Sequence, residues 1–332
     1  MKHILPVSFA LAALLFLLAY FSAPKTDTST EDAPLSLLPE ESLAQHDSQY
    51  QLTVLLQGQL CQMNMEEYLR GVLRAEMPAS FELEALKAQA VSARTYTLYR
   101  IESGPVANHP EADACDDIGC CKAYLSAGDA AAQWGMQSAF YEQKIRQAVA
   151  QTDGEAVLYQ QQPILAVFHS SSSGRTQNAE DVWLDQRPYL RSVESPEGED
   201  SVPNYYSTVT FSAKDFKSIF LQAYPQAKLE GNISHWFQAL TKNDANLVTS
   251  LTIGGITVKG TQLRSLLGLR SASFELETDK DSVTFLVTGY GHGVGMSQYG
   301  ANQLAKEGKS YKDILTWYYT DTTVEAYTPK QR

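Results

Sequence analysis

Residues 65–101 read MEEYLRGVLRAEMPASFELEALKAQAVSARTYTLYRI, and their apolar periodicity predicts two helices with a break at residues 78–80. On a helix of about 3.6 residues per turn, Glu76 falls near the middle of an apolar stripe in the first segment. A carboxyl group on an apolar face is partly desolvated, which raises its pKa and keeps it protonated, as a general acid requires. Glu76 is therefore the first candidate for chemistry. The stripe consists of Met65, Tyr68, Leu69, Val72 and Leu73.

The second helix carries two basic residues on its apolar face. Lys87 and Arg94 are seven residues apart, which stacks them two turns apart. One interpretation is that they tune Glu76 or bind an acidic ligand. The other is that both side chains extend to the rim and that Glu76 forms a structural ion pair with one of them. The apolar stripe around them consists of Leu83, Leu86, Ala90, Thr97 and Ile101.

The composition is that of a globular protein with an acidic balance. The chain has 332 residues, of which 44% are apolar and 19% are charged, so it is long enough to bury a large core. Its formal net charge of −12 argues against a general nucleic-acid binder. An anionic polymer would also be repelled overall, so a face that binds one must be locally basic.

The amino-terminal residues resemble a membrane anchor. The uncharged apolar run 4–22 is long enough to span a bilayer, whereas the apolar region of a cleaved signal peptide usually has about 7–15 residues. We expect residues 1–23 to be a cytoplasmic stub and transmembrane anchor, with a cleaved signal as the alternative. The polar, acidic segment 24–48 predicts a flexible tether. Residues 49–332 are then an exported domain.

Residues 108–124 read NHPEADACDDIGCCKAY and contain a cluster of metal-ligand residue types. His109, Cys115, Cys120 and Cys121 lie within this one loop, and such clusters predict a four-ligand zinc site. With four protein ligands the zinc would be structural, because no coordination position stays open for a substrate or a catalytic water.

A disulfide is the competing interpretation of the same loop, because the domain is expected outside the reducing cytoplasm. The three cysteines of the loop cannot all pair with one another. The partner of the third would have to be Cys61, which ends a predicted apolar strand and is more simply a buried thiol. Free thiols are the remaining alternative.

The remaining sequence alternates strands, turns and helices. A Gln57-Gly58 turn indicates a hairpin at 51–61. We predict an α+β fold of mixed helices and antiparallel strands around a substrate groove, with an N-terminal transmembrane helix. Further strands are expected at 155–159, 163–168, 204–211, 247–253 and 282–288. Helices are expected at 130–150 (packing through Trp134, Phe140, Ile145 and Val149), at 213–223, at 260–269 with a glycine stop, and from near Ser297. We expect an exposed acidic loop at 188–203 and ordinary scaffold without functional residues at 225–274.

Residues 169–183 read HSSSSGRTQNAEDVW and combine histidine, serines and acids. A Ser-His-Asp triad is rejected, because neighbours in sequence do not make a triad and no G-x-S-x-G elbow is present. A hydroxyl-rich loop with a glycine suits hydrogen bonding to sugars better. The alternative is a polar loop that caps a helix.

Residues 288–319 read TGYGHGVGMSQYGANQLAKEGKSYKDILTWYY, a glycine-rich turn that leads into a helix. It is not a phosphate loop, because the G-K-[ST] ending is absent. The glycines indicate tight turns and close backbone approach to another element or a ligand. His292 is a candidate for contacting substrate or orienting Glu76, with a packed structural histidine as the alternative. Gln298 is a second candidate for a substrate contact.

Three of these runs, in this order, closely resemble the sporulation stage II protein D family. They are the E-M-P run with its following helix, the S-S-x-G-x-T…E-D-V-W run, and the run G-H-G-x-G-x-S-Q-x-G-A. The resemblance extends over about residues 51–327 and implies a bacterial cell-wall lytic transglycosylase. It implies that Glu76 is catalytic and that Lys87 and Arg94 are also needed. By the same resemblance the residues that line the substrate groove are Ser172, Ser173, Gly174, Thr176, Glu180 and Asp181.

The resemblance also bears on the cysteine-rich loop. Some members bind zinc with a His, a Cys and a His-Cys pair at the same spacing. This chain has Cys120 where those members have histidine, so the implied site is Cys3His, formed by His109, Cys115, Cys120 and Cys121.

The implied reaction cleaves the linkage between N-acetylmuramic acid and N-acetylglucosamine in peptide-stripped glycan strands and yields 1,6-anhydro products. Hydrolysis is the nearest alternative, with Glu180 or Asp181 as the second carboxylate that it requires. A non-catalytic enhancer of a wall amidase is an alternative of another class. Metal-dependent amide hydrolysis would need an open coordination position, which a four-ligand site lacks.

The resemblance implies a setting as well. We expect a single-pass protein of the cell membrane with its catalytic domain on the extracytoplasmic side, acting during engulfment in a spore former. The implied partners are the glycan strands, the stage II protein P amidase and the stage II protein M; no nucleic acid is expected.

Overall fold

The computed structural model describes residues 45–104, 108–183 and 185–329. None of the helices within these ranges combines the length and the apolar character that crossing a bilayer requires. The expected anchor at 4–22 lies outside the described residues, as does most of the expected tether. The end of that tether is not a free linker, because it forms a short helix, α1 (Gln45–Gln49), whose Asp47 is buried.

The domain begins with the expected hairpin and helix pair. The hairpin turns at Gln57 and Gly58, whose positive φ angles of 50° and 78° fit a type I′ turn. The side chain of Asn64 then accepts a hydrogen bond from the backbone N–H of Glu67 and starts the first long helix. Pro78 separates the two helices, as predicted. The elements are β1 (Gln51–Leu56), β2 (Gln59–Asn64), α2 (Met65–Glu76) and α3 (Leu83–Glu102).

Helix α3 is central, not amphipathic with a single stripe as expected. Elements of the first core surround it, so residues on all its sides are buried. Alanines along the helix allow these neighbours to approach closely. The buried alanines are Ala85, Ala88, Ala90 and Ala93.

The helix expected at 130–150 is interrupted. Gly135 has a positive φ of 56° and ends the first part, because a left-handed residue cannot continue an α-helix. Ile145 and Val149 pack in the core as predicted, but Phe140 is 40% exposed, so its assignment as a packing position was wrong. The elements here are β3 (Ala114–Cys115), α4 (Ala127–Trp134), a 3-10 turn (Gly135–Gln137) and α5 (Ser138–Ala150).

The strand expected at 163–168 is only partly formed. Pro163, at its start, pairs with β4 in a hairpin, and Phe168, at its end, pairs in parallel with Met296 of the glycine-rich run, with His169 beside Ser297. This pairing brings two of the motifs together. The elements are β4 (Glu155–Tyr159), β5 (Gln162–Pro163), β6 (Phe168–His169) and α6 (Ala179–Val182).

Residues 206–288 build a second core that the sequence did not reveal. Two three-stranded antiparallel sheets enclose it together with two helices, and Phe216, Phe220 and Phe285 are fully buried in it. The helix stop at Gly268, in the left-handed conformation, is as predicted. The elements are β7 (Tyr206–Ser212), α7 (Ala213–Ala223), a 3-10 turn (Ile233–His235), β8 (Phe237–Lys242), β9 (Val248–Ile253), β10 (Ile256–Val258), α8 (Gly260–Leu267), β11 (Phe274–Thr278) and β12 (Ser282–Thr288).

The chain then returns to the first core and completes it. Its last strand pairs antiparallel with β4, next to the first helices. Mixed helices and mostly antiparallel sheets confirm the α+β class. The last elements are β13 (Met296–Ser297), α9 (Gln298–Lys306), α10 (Tyr311–Tyr318) and β14 (Thr323–Ala326).

Candidate active site

Glu76 is the last residue of α2 and opens onto a cleft of about 580 Å³. The helix ends there because the residue before Pro78 is pushed into the extended region, so the chain turns away and leaves the carboxyl group at an edge. Segments far apart in sequence form the walls. The lining residues are Arg74, Ala75, Glu76, Met77, Pro78, Ala79, Gln133, Trp134, Phe168, His169, Ser170, Tyr290, Gly291, Gln298 and Tyr299.

The environment of Glu76 is that expected for a protonated carboxyl group. Burial raises its pKa, and this effect exceeds the opposing effects of the positive charge of Lys122 and of a hydrogen bond from the backbone N–H of Ala123 to Oε1 (3.1 Å). The predicted direction of the shift is therefore confirmed. The same backbone N–H also fixes the orientation of the carboxyl group.

Lys122 is the cation that faces Glu76, and sequence reasoning missed it. Its ammonium group lies 4.1 Å from the ring centroid of Tyr96 and 3.8 Å from that of Phe168. Burial lowers its pKa to about 8, partly offset by Glu76. The available signal was a basic residue directly after the Cys120-Cys121 pair, but nothing local showed that the loop folds against α2.

The predicted basic residues of α3 lie elsewhere. The ammonium group of Lys87 pairs with Glu84 at 2.6 Å and lies over the ring of Tyr311. Arg94 is only 1% exposed and pairs with the buried Asp47 of α1. Neither residue lines the cleft, because the face of α3 that carries them is covered by α1 and α10. Their expected contact with substrate or with Glu76 is corrected accordingly.

Gln298, the second candidate for a substrate contact, lies beside Glu76. Its Nε2 group donates a hydrogen bond to the backbone carbonyl of Glu76 (2.9 Å), and it lines the cleft. The position follows from the local fold, since the hydroxyl of Ser297 caps α9 and leaves Gln298 as the first helical residue.

Two neighbouring histidines at the cleft, His169 and His292, are in their neutral forms. Burial lowers the pKa of His169 to about 4, and burial is also the main cause that lowers the pKa of His292. Nδ1 of His292 accepts a hydrogen bond from the backbone N–H of Val294 (3.1 Å), and its ring packs on Trp183. His292 is not itself a lining residue, but its ring centroid lies 5.6 Å from that of His169, which lines the cleft.

The S-S-x-G-x-T segment forms hydrogen bonds within the protein and does not line the cleft. Ser173 donates to the carbonyl of Ala245, Thr176 is fully buried against the backbone at Val193, and the carbonyl of Gly174 accepts from Ser195. The expectation that these residues line a groove is corrected, because none of them is among the residues that line the cleft. The hydroxyl of Ser172 is buried and has no hydrogen-bond partner among the described residues, while its backbone N–H donates to Glu197. Only the residues just before them, Phe168, His169 and Ser170, reach the cleft.

The two acids of the E-D-V-W run are also engaged elsewhere. Glu180 accepts two hydrogen bonds from the guanidinium group of Arg191 (2.7 and 2.9 Å). Asp181 accepts from the side-chain amides of Asn178 and Asn243. Neither carboxylate lines the Glu76 cleft.

Glu197, expected in an exposed acidic loop, is instead buried and forms hydrogen bonds with two of the three motifs. Its carboxylate accepts hydrogen bonds from the backbone N–H of Ser172 (2.7 Å) and from the hydroxyls of Ser195 and Ser297 (2.5 Å each). It therefore holds the serine-rich run and the start of α9 in one arrangement. No sequence signal distinguished Glu197 from its exposed neighbours.

The Cys/His loop brings its four predicted ligands together. Their ligand atoms lie within 4.8 Å of one another, and Sγ of Cys120 lies 3.1 Å from that of Cys115 and 3.2 Å from Nε2 of His109. These separations are far longer than the roughly 2.05 Å of a disulfide bond. Nδ1 of His109 faces the carbonyl of Ala112 (3.3 Å), which leaves Nε2 for a metal. The donor set fits a tetrahedral zinc site. Cys61 lies on β2, outside this cluster, and is half-buried.

Known proteins resemble this sequence over most of its length. The family model described as Stage II sporulation protein matches residues 57–159. The chain is 42% identical over 260 residues to stage II sporulation protein D of Bacillus subtilis (strain 168), covering 78% of this chain and 74% of that protein. It is 39% identical over 255 residues to stage II sporulation protein D of Bacillus amyloliquefaciens, covering 77% and 72%. It is 28% identical over 309 residues to the amidase enhancer of Bacillus subtilis (strain 168), covering 78% and 40%.

Proposed function

The chain belongs to the stage II sporulation protein D family, and from that premise we propose that it is a lytic transglycosylase acting on cell-wall glycan strands in sporulation. The resemblance inferred from the three motifs is thereby confirmed. The proposed reaction cleaves the bond between N-acetylmuramic acid and N-acetylglucosamine in peptide-free strands and forms a 1,6-anhydro sugar.

The observation that supports the proposal most strongly is that, in the described part of the chain, a single carboxyl group lines the cleft. Among the described residues that line it, Glu76 is the one acidic residue. Glycoside hydrolases generally need a second carboxylate about 5–9.5 Å from the first. Glu180 and Asp181, the two candidates for that role, are bonded to other side chains outside the lining. A single carboxyl group fits a reaction that needs neither a second carboxylate nor water.

In the proposed reaction Glu76 changes role once. Its protonated carboxyl group gives a proton to the glycosidic oxygen as the bond from that oxygen to C1 of the muramic acid breaks. The C6 hydroxyl of the same sugar then attacks the oxocarbenium-like C1, and the Glu76 carboxylate removes the hydroxyl proton. The anhydro ring closes and the carboxyl group is protonated again, so no atom is gained or lost by the enzyme.

The neighbours of Glu76 suit both states of the carboxyl group. The N–H of Ala123 and the positive charge of Lys122 stabilise the carboxylate between the two proton transfers. Burial favours the protonated form before the reaction. Gln298 holds the backbone of Glu76 and, together with the neutral His169, lines the space for the sugar.

We also propose that His109, Cys115, Cys120 and Cys121 hold a structural zinc ion. The four-ligand geometry supports this, and the ion would cross-link the loop. That loop carries Lys122 and Ala123, the two residues that act on Glu76. The ion would therefore stabilise the site without taking part in the reaction.

The apolar run 4–22 and the family resemblance support a location for the domain. We propose a single-pass anchor in the cell membrane and a catalytic domain on the extracytoplasmic side. The stage II protein P amidase, which would supply peptide-free strands, and the stage II protein M are the proposed partners.

A non-catalytic enhancer of a wall amidase is the second candidate function. It is favoured by the 28% identity to a protein named amidase enhancer. The desolvated Glu76 argues for the enzyme, because a binding module has no need of a carboxyl group with a raised pKa.

Digestion of purified peptide-free glycan strands tests the proposal. The wild-type protein should release products lighter by one water than hydrolysis would give, as measured by mass spectrometry. Glu76→Gln should lower this rate by about a thousandfold or more, because it removes the proton donor. Glu67→Gln, which changes an exposed carboxyl group on the same helix, should leave the rate unchanged and serves as the control.

Reducing-end products would replace the proposal with hydrolysis. Intact strands with the wild-type protein, together with faster peptide release when an amidase is added, would favour the enhancer. Equal thermal unfolding of the two variants is required for either comparison.

A further inference from the structure

Two arginines of the second core lie behind one wall of the Glu76 cleft. The guanidinium carbon of Arg270 is 4.2 Å from the ring centroid of Tyr290, which lines the cleft and is 46% exposed. Nε of Arg264 donates a hydrogen bond to the carbonyl of Arg270 (3.2 Å), and that carbonyl also accepts from the backbone N–H of Gly291. Both arginines are therefore tied to the same wall.

The positive charges of both arginines affect the pKa values of side chains at the site. The positive charge of Arg270 lowers the pKa of Tyr299, another lining residue, against the effect of burial. The charge of Arg264 acts on His169 and His292. Neither arginine is itself among the lining residues: Arg270 lies directly behind the ring of Tyr290, and Arg264 is hydrogen-bonded to the same carbonyl as Gly291.

Neither arginine has a carboxylate partner within the part of the chain that the structure describes. Nε of Arg270 is moreover buried without a hydrogen-bond acceptor. An unsatisfied buried donor is costly, and the protein has 38 acidic residues against 26 Lys and Arg, so unpaired arginines here are unexpected. Arg100 is also without a carboxylate partner among the described residues, and the Nε atoms of Arg70 and Arg100 are likewise buried without an acceptor. The arginines that do pair with carboxylates are Arg70, Arg74, Arg94, Arg146, Arg175, Arg187 and Arg191.

We propose that Arg264 and Arg270 bind a carboxylate of the ligand, and that this group is the lactyl carboxylate of N-acetylmuramic acid. The proposal rests on the proposed function. Guanidinium groups match the planar geometry of a carboxylate and provide several donors to it. Tyr290 provides an apolar ring beside them for the face of a sugar.

The proposal explains a preference for peptide-free strands. When a stem peptide is attached, the lactyl group is a neutral amide and offers no carboxylate. When the peptide has been removed, the group is an anion that two unpaired arginines can bind. The locally basic face that an acidic protein needs in order to bind an anionic polymer would then lie on the second core.

Binding measured in a Glu76→Gln background tests this without any cleavage. The probes are peptide-free glycan strands and the same strands with their lactyl carboxyls converted to methylamides. Arg264→Gln and Arg270→Gln should each weaken binding of the carboxylate strands about tenfold and leave binding of the methylamide strands unchanged. The background protein should itself prefer the carboxylate strands. Lys280→Gln removes an equal charge from an exposed position of the second core and should have no effect.

The outcomes separate this assignment from the proposed function. If the background protein binds both kinds of strand equally well, the arginine assignment is wrong while glycan binding stands. If it binds neither, the proposed function fails as well. Arg270→Lys keeps the charge but loses the planar group, so it should weaken binding less than Arg270→Gln. The methylamide comparison requires no arginine substitution and thus holds even if a variant does not fold.

Discussion

At the scale of single residues, Glu76 is controlled by three neighbouring effects. Burial raises its pKa, while the charge of Lys122 and the N–H of Ala123 lower it by less. The balance leaves a carboxyl group that is more readily protonated than one in water but can still ionise. A group that must give and then take a proton requires this intermediate strength.

The pH dependence of strand cleavage should follow this balance. Cleavage requires protonated Glu76, so its rate should fall as pH rises through the pKa of Glu76, which lies above the ordinary value of about 4.3. Lys122→Met removes the charge that lowers this pKa. The alkaline limb of the rate profile should therefore move to higher pH in Lys122→Met, as measured by initial rates across pH.

Lys280→Gln, a change at an exposed lysine, should leave the limb in place. A limb that stays unmoved in Lys122→Met, with the protein still folded, would show that Lys122 does not act on the catalytic group. Movement toward lower pH would contradict the sign of the interaction.

At the scale of elements, α9 is positioned by the contacts at its first turn. Ser297 caps the helix and donates to the buried carboxylate of Glu197, and Gln298 reaches the carbonyl of Glu76. Gly300 lies in the same turn, close to Tyr318. The glycine allows α9 to lie this close, because a side chain there would collide with Tyr318, Ser195 and Glu197.

Substitution of Gly300 by alanine should therefore destabilise the protein. A Cβ atom at this position would lie 2.1 Å from the hydroxyl of Tyr318, 2.3 Å from that of Ser195 and 2.6 Å from the carboxylate of Glu197. These groups are buried and hydrogen-bonded, so they cannot move aside freely. We expect Gly300→Ala to lower the free energy of unfolding by about 2–3 kcal/mol, measured by denaturant or thermal unfolding.

Gly128→Ala is the matched control for this experiment. Gly128 also lies in a helix, but a Cβ atom there would meet one side-chain atom, at 3.8 Å. Alanine should be neutral or stabilise that helix by up to about 1 kcal/mol. Similar effects of the two substitutions would mean that the contacts of Gly300 do not constrain the site.

At the scale of the whole molecule, the site depends on packing between distant parts of the chain. The first core surrounds α3, and the Cys/His loop folds across it so that Tyr96 donates a hydrogen bond to the carbonyl of Cys120 (2.9 Å). The second core supplies Arg264 and Arg270 behind the Tyr290 wall. A change in either region should thus alter the cleft without touching Glu76.

Removal of the proposed zinc ion tests this coupling. The purified protein should contain zinc, measured by atomic emission, and a strong chelator should lower both the unfolding temperature and the cleavage rate, because the ion stabilises the loop that carries Lys122 and Ala123. Cys121→Ser should act in the same direction.

Cys61→Ser serves as the control, because Cys61 lies outside the ligand cluster, and it should retain zinc and activity. If the purified protein contains no zinc and is as stable with chelator as without it, the proposed zinc site is wrong. Loss of stability under a reducing agent would instead support a disulfide.

Local patterns in the sequence determined several features of the protein correctly. These are the hairpin at Gln57-Gly58, the end of α2 at Glu76, the glycine stop at Gly268 and the start of α9 after Ser297. The Cys/His cluster belongs with them. Each depends on interactions within a few residues, or on ligand types within one short loop, so spacing along the chain contains the required information.

Only the tertiary structure decided which side chains meet at the cleft. The sequence suggested Lys87 and Arg94 as neighbours of Glu76, but Lys122 is the cation whose charge acts on Glu76. Periodicity indicates that a helix face is buried, but it does not indicate which element covers that face. For the same reason Glu197 could not be distinguished from exposed acids, since its partners Ser172 and Ser297 are brought to it by folding.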